Sequence, residues 1–121
     1  MNLRALLVVG LFAAYGCGST SSSPSTPSNP GVVGTPVAIV SGSSVLTTTA
    51  FAPNPVSVAV GGSVTWVNND NVTHTSTANN ASWNSGSIAP GSQFTTTFAT
   101  AGSYTYHCAI HPGMVGTINV Q

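Results

Sequence analysis

The feature that most restricts how this chain can fold is a series of short segments in which every second residue is apolar or aromatic. Because successive side chains of a β-strand point to opposite faces, each such run predicts a strand with one buried face. Turns rich in Gly and Pro separate the runs, and no segment after Gly16 has the spacing of an amphipathic helix. The alternating positions are Val56, Val58 and Val60; Phe94, Thr96 and Phe98; Tyr104, Tyr106 and Cys108; and Ile118 and Val120.

Further strands are predicted at residues 37–40, 45–51 and 74–78, which brings the total to about seven or eight. Short strands at this spacing are typical of a Greek-key β-sandwich, so the predicted fold class is all-β. The folded domain is predicted to span residues 35–121. A domain of this size has a modest core, and a bound metal would contribute to its stability.

The first residues have the pattern of a secretory signal peptide. Arg4 supplies the positive charge, and Ala5–Ala14 form an apolar segment of about 10 residues, whereas a membrane-spanning helix needs about 20. We therefore predict a signal peptide over residues 1–16, with cleavage directly before Cys17. This arrangement resembles that of bacterial lipoproteins, in which the cysteine is lipidated. The alternatives are ordinary cleavage that leaves a free Cys17, and a disulfide between Cys17 and Cys108.

Residues 17–34 consist almost entirely of Ser, Thr, Pro, Gly and Asn. Such a segment buries too little apolar surface to offset its ordering entropy, so we predict a disordered tether with an average span of about 20–25 Å. Lipidation at Cys17 would attach the domain to a membrane of the cell envelope, on the periplasmic or another extracytoplasmic side. A lone thiol in that oxidising compartment is paired, reactive or metal-bound, and metal binding is the simplest role for Cys108.

The candidate metal ligands are one thiol, two imidazoles and one thioether: Cys108, His74, His111 and Met114. This is the ligand set of a blue-copper site, with a trigonal His₂Cys plane and a long axial Met. The chain has only three His and two Met, and no other soft-metal cluster competes with this set. The turn at Pro112-Gly113 can fold His111 and Met114 back onto the ion that Cys108 binds. We predict one copper per chain; zinc is the alternative metal, but a Met ligand favours copper.

The segment Gly102–Gly116 resembles the copper loop of the cupredoxins, in the branch of plastocyanin, pseudoazurin and amicyanin. The segment Gly62–Asp70, followed by His74, is similar to the strand and loop that carry the first histidine of that family. The spacing Cys-x-x-His-x-x-Met is the short form found in amicyanin, and the resemblance covers residues 55–120. It implies a cupredoxin fold, a type 1 copper and one-electron transfer between Cu(II) and Cu(I). Asn often follows the first histidine in the family, but Thr75 occupies that position here.

Other conspicuous residues are interpreted as structural. His107 is adjacent to Cys108, so strand alternation directs its side chain to the opposite face. His107-Cys108 also resembles half of the bridge between copper centres in multicopper oxidases and nitrite reductases. Those enzymes need further histidines for a substrate-binding metal, so we predict that this chain is not an enzyme. Packing or turn-forming roles are predicted for Trp66, Trp83, Tyr104 and Asp70.

Arg4 and Asp70 are the only charged side chains. Once the signal peptide is removed, no charged patch remains to steer a partner or to bind nucleic acid. We expect a monomer that contacts the membrane through its lipid, while redox proteins dock on apolar surface near His111. The alternative function is copper storage or delivery with the same ligands, and a metal-free adhesion domain is a third possibility. The candidate docking residues are Ile110, Pro112, Gly113 and Val115.

Overall fold

A computed structural model describes residues 34–121 as eight β-strands and one 3-10 helical turn at Ser43–Val45. The predicted signal peptide, Cys17 and almost all of the predicted tether lie outside the described residues. Residues 34–121 contain no helix that is long and apolar enough to span a membrane. In chain order the strands are β1 (Thr35–Ile39), β2 (Phe51–Ala52), β3 (Val56–Val58), β4 (Ser63–Asn68), β5 (Thr77–Ala78), β6 (Gln93–Thr97), β7 (Gly102–His107) and β8 (Val115–Val120).

The strands form two sheets of four strands each, with the orders β2-β1-β4-β6 and β3-β8-β7-β5. The pairs β1–β4 and β3–β8 are parallel, and the other pairs are antiparallel. Buried side chains of both sheets belong to one hydrophobic cluster. The predicted all-β sandwich is therefore confirmed, with its strand number inside the predicted range.

Aromatic side chains from both sheets build the middle of the core. Trp66 of β4 and Tyr106 of β7 are fully buried, and their ring centroids lie 5.3 Å apart in an edge-to-face arrangement. Phe51 lies 4.8 Å from Tyr106, and Trp83 lies 5.8 Å from Trp66, again measured between ring centroids. Such pairs stabilise a core beyond the area that they bury. Packing roles for both tryptophans agree with the sequence-based interpretation.

Strands β7 and β8 approach each other closely at Gly116, which pairs with Tyr106 in the strand register. A Cβ atom at position 116 would collide with the ring and hydroxyl of Tyr106. Only glycine therefore fits at this position without displacement of the tyrosine. Because Tyr106 precedes Cys108 by two residues in the chain, this packing also fixes the end of the strand that leads to the cysteine.

The predicted strand at residues 45–51 is wrong for most of its length. Val45 belongs to the 3-10 turn and is 88% exposed, and only Phe51 at the end of the range is paired, with β1. The physical reason lies in Ser43, whose hydroxyl donates a hydrogen bond of 3.1 Å to the carboxylate of Asp70. This contact holds the segment in a turn against the loop after β4, where it cannot pair as a strand.

The predicted strand at residues 74–78 is shorter than expected. Only Thr77–Ala78 form a strand, whereas His74 makes an isolated antiparallel bridge with Ile88. The bridge still fixes the backbone at His74, since each residue donates its N–H to the carbonyl of the other, at 3.2 and 2.8 Å.

The strand directions place the two ends of the described chain at one end of the sandwich, called here the far pole. β4 leads into the loop that carries His74, and β7 leads into Cys108, so both strands end near the candidate ligands. β1 runs parallel to β4 and begins beside its start, while β8 runs antiparallel to β7 and ends beside its start. The start of β1 and the end of β8 therefore lie at the far pole, away from the candidate ligands.

Candidate metal centre

Three of the predicted ligands meet at one end of the sandwich. Sγ of Cys108 lies 3.7 Å from Nδ1 of His74 and 4.0 Å from Nδ1 of His111, and the two nitrogens are 3.2 Å apart. His74 and Cys108 are fully buried, and His111 is half-buried. In the described part of the chain, this is the one group of at least three His, Cys or acidic residues whose donor atoms could share an ion.

The spacing of these donors fits a first-row metal ion. In a trigonal site with metal–nitrogen bonds of about 2.1 Å and metal–sulfur bonds of about 2.3 Å, each N ligand atom lies about 3.8 Å from the S atom, and the two N atoms lie about 3.6 Å apart. The separations of 3.7, 4.0 and 3.2 Å lie within about 0.4 Å of those values. Two imidazole nitrogens and a thiolate suit copper by donor type, so the residues present fit a copper ion.

The segment between β7 and β8 carries the other donors in a closed loop. Cys108 directly follows β7 and Met114 directly precedes β8. The N–H of Cys108 donates to the Met114 carbonyl at 3.1 Å, and the N–H of Met114 donates to the His111 carbonyl at 2.9 Å. Cys108 is a free thiol. Met114 is fully buried, and its role as axial ligand stays a prediction.

Thr75, the residue after His74, binds the cysteine loop twice. Its backbone N–H donates to Sγ of Cys108 at 3.3 Å, and its hydroxyl accepts the N–H of Ala109 at 2.7 Å. A hydrogen bond to sulfur favours the thiolate, which is the form of cysteine that binds a metal. The side chain of Thr75 therefore connects to the loop at the position where the family often has Asn.

Asp70 is buried beside His74 and contacts it directly. Oδ2 of Asp70 lies 2.8 Å from Nε2 of His74, and the carboxylate also accepts the backbone N–H of Gly42 at 3.0 Å and of Asn71 at 2.8 Å. The hydrogen bonds from Gly42 and then from His74 hold the pKa of the Asp70 carboxyl well below its usual range. Asp70 lies in a bend just after β4, in agreement with the turn-forming role predicted for it.

The contact between Asp70 and His74 was missed by the sequence analysis. The two residues lie four positions apart in a loop, where that spacing does not bring side chains onto one face as it does in a helix. The available signal was that Asp70 is the sole acid of the chain and lies just before a candidate ligand.

The remaining histidine lies outside the group of donors. Nδ1 of His107 lies 2.6 Å from Oδ1 of Asn79, in agreement with a side chain that points away from the face of Cys108. The hydroxyl of Tyr104 donates to the carbonyl of Thr100 at 2.8 Å. Both residues therefore have the structural roles that the sequence analysis gives them.

The comparisons with known proteins agree with the donor geometry. The family model "Copper binding proteins, plastocyanin/azurin family" matches residues 39–121. Plastocyanin from Scenedesmus fuscus is 37% identical over 84 residues, a match that covers 59% of this chain and 86% of the relative.

Solved structures show the same fold. A purple cupredoxin from Nitrosopumilus maritimus superposes with a TM-score of 0.67 at 30% identity. The match covers 72% of this chain and 99% of the purple cupredoxin chain. A reduced Cu(I) form of an amicyanin variant gives a TM-score of 0.60 at 25% identity, and the match covers 73% of this chain and 82% of the amicyanin chain. A copper-containing nitrite reductase from Thermus scotoductus gives a TM-score of 0.61 at 25% identity, but this chain spans only 22% of the length of the reductase chain. By its sequence, its fold and its donor set, this chain is a cupredoxin that belongs to the plastocyanin/azurin family of copper-binding proteins.

Proposed function

We propose that the protein is a one-electron carrier with one type 1 copper bound by His74, Cys108, His111 and Met114. The observation that carries this proposal is the spacing of the three donor atoms at 3.7, 4.0 and 3.2 Å, which matches a trigonal ion. Bound copper would supply a centre that takes up and releases one electron between Cu(II) and Cu(I).

The residues around the donors support electron transfer because they restrict rearrangement. Thr75 ties the His74 segment to the cysteine loop through two hydrogen bonds, and the loop is closed by the bond between Cys108 N–H and the Met114 carbonyl. When the donor atoms keep the same positions in both oxidation states, the reorganisation energy of electron transfer is small. A storage or delivery protein has to release its metal. A largely buried set of donors, held together by hydrogen bonds, opposes such release.

The proposal includes no enzymatic activity. Of the three histidines, two belong to the donor group and His107 is bonded to Asn79. Residues 34–121 contain no second group of potential metal ligands that could bind a substrate. The similarity to a nitrite reductase concerns a fraction of that enzyme's length and supports a shared fold.

Redox proteins are the proposed partners, docking on the surface around His111. Ile110 beside it is 50% exposed, and Pro112 and Gly113 are exposed as well. Val45, which is 88% exposed, lies at the same end, because the neighbouring Thr47 carbonyl accepts the N–H of Val115. These side chains would form an apolar, uncharged docking surface beside the one half-buried ligand. We also propose that the protein is a monomer, and the lack of positive charge gives its surface no affinity for nucleic acid.

The cell envelope is the proposed location, with membrane attachment through a lipid on Cys17. The support comes from the sequence of residues 1–34, in which a signal-like segment, a cysteine and a Ser/Thr/Pro-rich segment follow one another. Replacement of Cys17 by Ser should move the protein from the membrane fraction to the soluble fraction. Mass spectrometry that finds an unmodified N-terminal cysteine on the mature protein would contradict the proposal.

An optical spectrum of the copper-loaded protein tests the metal site. We expect an intense visible band from thiolate-to-Cu(II) charge transfer, which Cys108→Ala should abolish. His107→Ala is the matched control, because this neighbour points away from the donors and its loss should leave the band in place. Met114→Leu should keep the colour and raise the reduction potential, since the axial ligand tunes it. A blue Cys108→Ala variant would show that the ligand assignment is wrong.

Electron self-exchange separates a carrier from a storage or delivery protein. A carrier requires rapid exchange between its Cu(II) and Cu(I) forms, which can be measured by NMR line broadening in mixtures of the two. A blue protein with slow exchange and a readily transferred copper would favour storage or delivery instead.

A further inference from the structure

We propose that Asp70 is a positioning residue of the copper site, whose buried carboxylate keeps Nδ1 of His74 available to the metal and lowers the reduction potential. The inference deepens the function proposed above and rests on its copper site. It concerns a side chain that contacts a predicted ligand and none of the other donors.

The first argument is the tautomer of His74. Its Nε2 lies 2.8 Å from Oδ2 of Asp70, while its Nδ1 faces Sγ of Cys108 at 3.7 Å. A neutral imidazole carries one N–H, and an ionised carboxylate can only accept. The proton is therefore held on Nε2, and the lone pair of Nδ1 is left for the metal. Metal-bound histidines are commonly oriented in this way by a carboxylate or carbonyl on the other nitrogen.

The second argument is that the carboxylate itself cannot turn away. Oδ1 accepts two backbone N–H groups, those of Gly42 and Asn71, and Oδ2 accepts the hydroxyl of Ser43 at 3.1 Å together with His74. All four partners donate to the carboxylate, so both oxygens are occupied and the group is held as an anion. Asp70 is only 5% exposed, and its charge is therefore screened little by salt.

The third argument is the contrast with the other imidazole. Across residues 34–121, no hydrogen bond is formed by Nε2 of His111, which is half-buried and contacts the donor group through Nδ1. The two histidines are thus unequal, because the protein orients His74 through an anion and leaves the ring of His111 without such a partner. His107, which is bonded to Asn79 outside the donor group, serves as the internal reference for experiments on Asp70.

The effect on the potential follows from charge. A fixed negative charge one imidazole away stabilises Cu(II) more than Cu(I), because the oxidised ion carries the larger positive charge. Loss of such a partner typically lowers metal affinity by about 10- to 100-fold. Each tenfold loss that affects Cu(II) and not Cu(I) raises the potential of a one-electron couple by about 59 mV.

The experiment compares the wild type with Asp70→Asn, in both the metal-free and the copper-loaded protein. In metal-free wild type, nitrogen-15 NMR should find His74 protonated at Nε2. In Asp70→Asn this preference should weaken or reverse, since an amide can donate to Nε2, while the spectrum of His107, which lies outside the donor group, stays unchanged. In the loaded protein, the affinity for Cu(II) should fall at least tenfold relative to Cu(I), with the corresponding rise in potential.

Two further variants separate the contact from general charge and from packing. The pair Asp70→Asn with Asn71→Asp restores the net charge on an exposed neighbour, and it should retain most of the rise in potential. Ser43→Ala removes the hydroxyl that contacts both side chains but keeps the carboxylate, and it should change the potential less than Asp70→Asn does. Full recovery of the wild-type potential by the double variant would overturn the proposal, because net charge alone would then be responsible.

The metal-free wild type decides the question even if the variants fail to fold. A wild-type His74 protonated at Nδ1 overturns the positioning role outright, and one protonated at Nε2 supports it. A wild type with the expected tautomer that gives no blue band with copper would contradict the proposed function instead. The two failures are therefore distinguishable.

Discussion

Thr75 shows how one residue can join two ligand-bearing segments that are far apart in the sequence. It lies 33 residues before Cys108, yet its N–H contacts the cysteine sulfur and its hydroxyl takes the N–H of Ala109. The positions of His74 and Cys108 are thereby coupled through a residue that is not itself a ligand. At the scale of single residues, the site is thus a hydrogen-bonded unit rather than a set of independent donors.

The buried charge of Asp70 predicts how acid affects the metal-free protein. The folded pKa of Asp70 is depressed below the usual value of an aspartate, so its contribution to stability is present above that usual value and is lost as pH falls through the folded pKa. Thermal unfolding of metal-free protein should therefore show a decline in Tm below about pH 4. Asp70→Asn should be less stable at neutral pH and should lose most of this decline. If the Tm of the variant declined by the same amount in acid, groups other than Asp70 would be responsible for the decline.

The grouping of His74, Cys108 and His111 could be predicted from the sequence because residues with this donor chemistry are rare in the chain. Cys108, His111 and Met114 lie within one short segment, and few other residues of the chain can bind a soft metal. The groups that hold the donors could not be predicted in the same way. Asp70 and Thr75 act through contacts that exist only after two loops have met, and no spacing in the sequence encodes such contacts.

At the scale of elements, the short connection between β2 and β3 anchors the start of β8. The amide of Asn54 donates to the carbonyls of Thr48 and Val115, at 2.8 and 3.2 Å, and accepts the N–H of Thr117 at 2.9 Å. Since β8 begins directly after Met114, this amide also limits how far the ligand loop can move at its end.

Replacement of Asn54 by Ala should lower the free energy of unfolding by about 1–3 kcal/mol. The reason is the loss of three hydrogen bonds, each worth about 1 kcal/mol, in a partly exposed position. Urea unfolding of the metal-free protein measures the change. Asn69→Ala is the control, since this side chain is exposed, and its removal should change the value by less than about 0.5 kcal/mol. Equal effects of the two substitutions would contradict the anchoring role of Asn54.

Strands β3 and β8 were predicted well because their alternating side chains pack against the core, whereas Val60, predicted on the same face as Val56 and Val58, lies beyond β3 and is 51% exposed. Val56 and Val58 of β3, and Ile118 and Val120 of β8, are buried as the alternation predicts. Residues 45–51 contain Val45, Leu46 and Phe51 and have the composition of a strand, but the neighbouring Ser43 is bound to Asp70. A tertiary contact therefore overrode local preference at this segment.

At the scale of the whole molecule, residues 34–121 contain one charged side chain, and it is buried. Asp70 is 5% exposed, so the surface of the described domain presents amides, hydroxyls and small apolar groups but no charged side chain. Long-range electrostatic steering therefore has no source on this surface, and association has to depend on short-range contacts.

The rate of electron transfer with a weakly charged partner should consequently change less than about threefold between low and high salt, whereas steered pairs change by 10-fold or more. Stopped-flow kinetics over a range of ionic strength measures this dependence. As a control, Val45→Glu at its 88% exposed position should introduce a salt dependence with a cationic partner. A steep dependence in the wild type would reveal charge-based recognition that residues 34–121 cannot supply.

The position of residues 34 and 121, the two ends of the described domain, at the far pole has a practical consequence for how the domain can be mounted. A linker, tag or surface joined to either end would meet the domain on the side opposite His111, and the ligand loop would face outward. Immobilisation on an electrode through residue Gln121 should therefore orient the molecules with the surface around His111 toward the solution. Soluble partners would then reach the immobilised molecules as freely as they reach the protein in solution. Electrons exchanged directly between the copper and the electrode would have to cross the length of the sandwich.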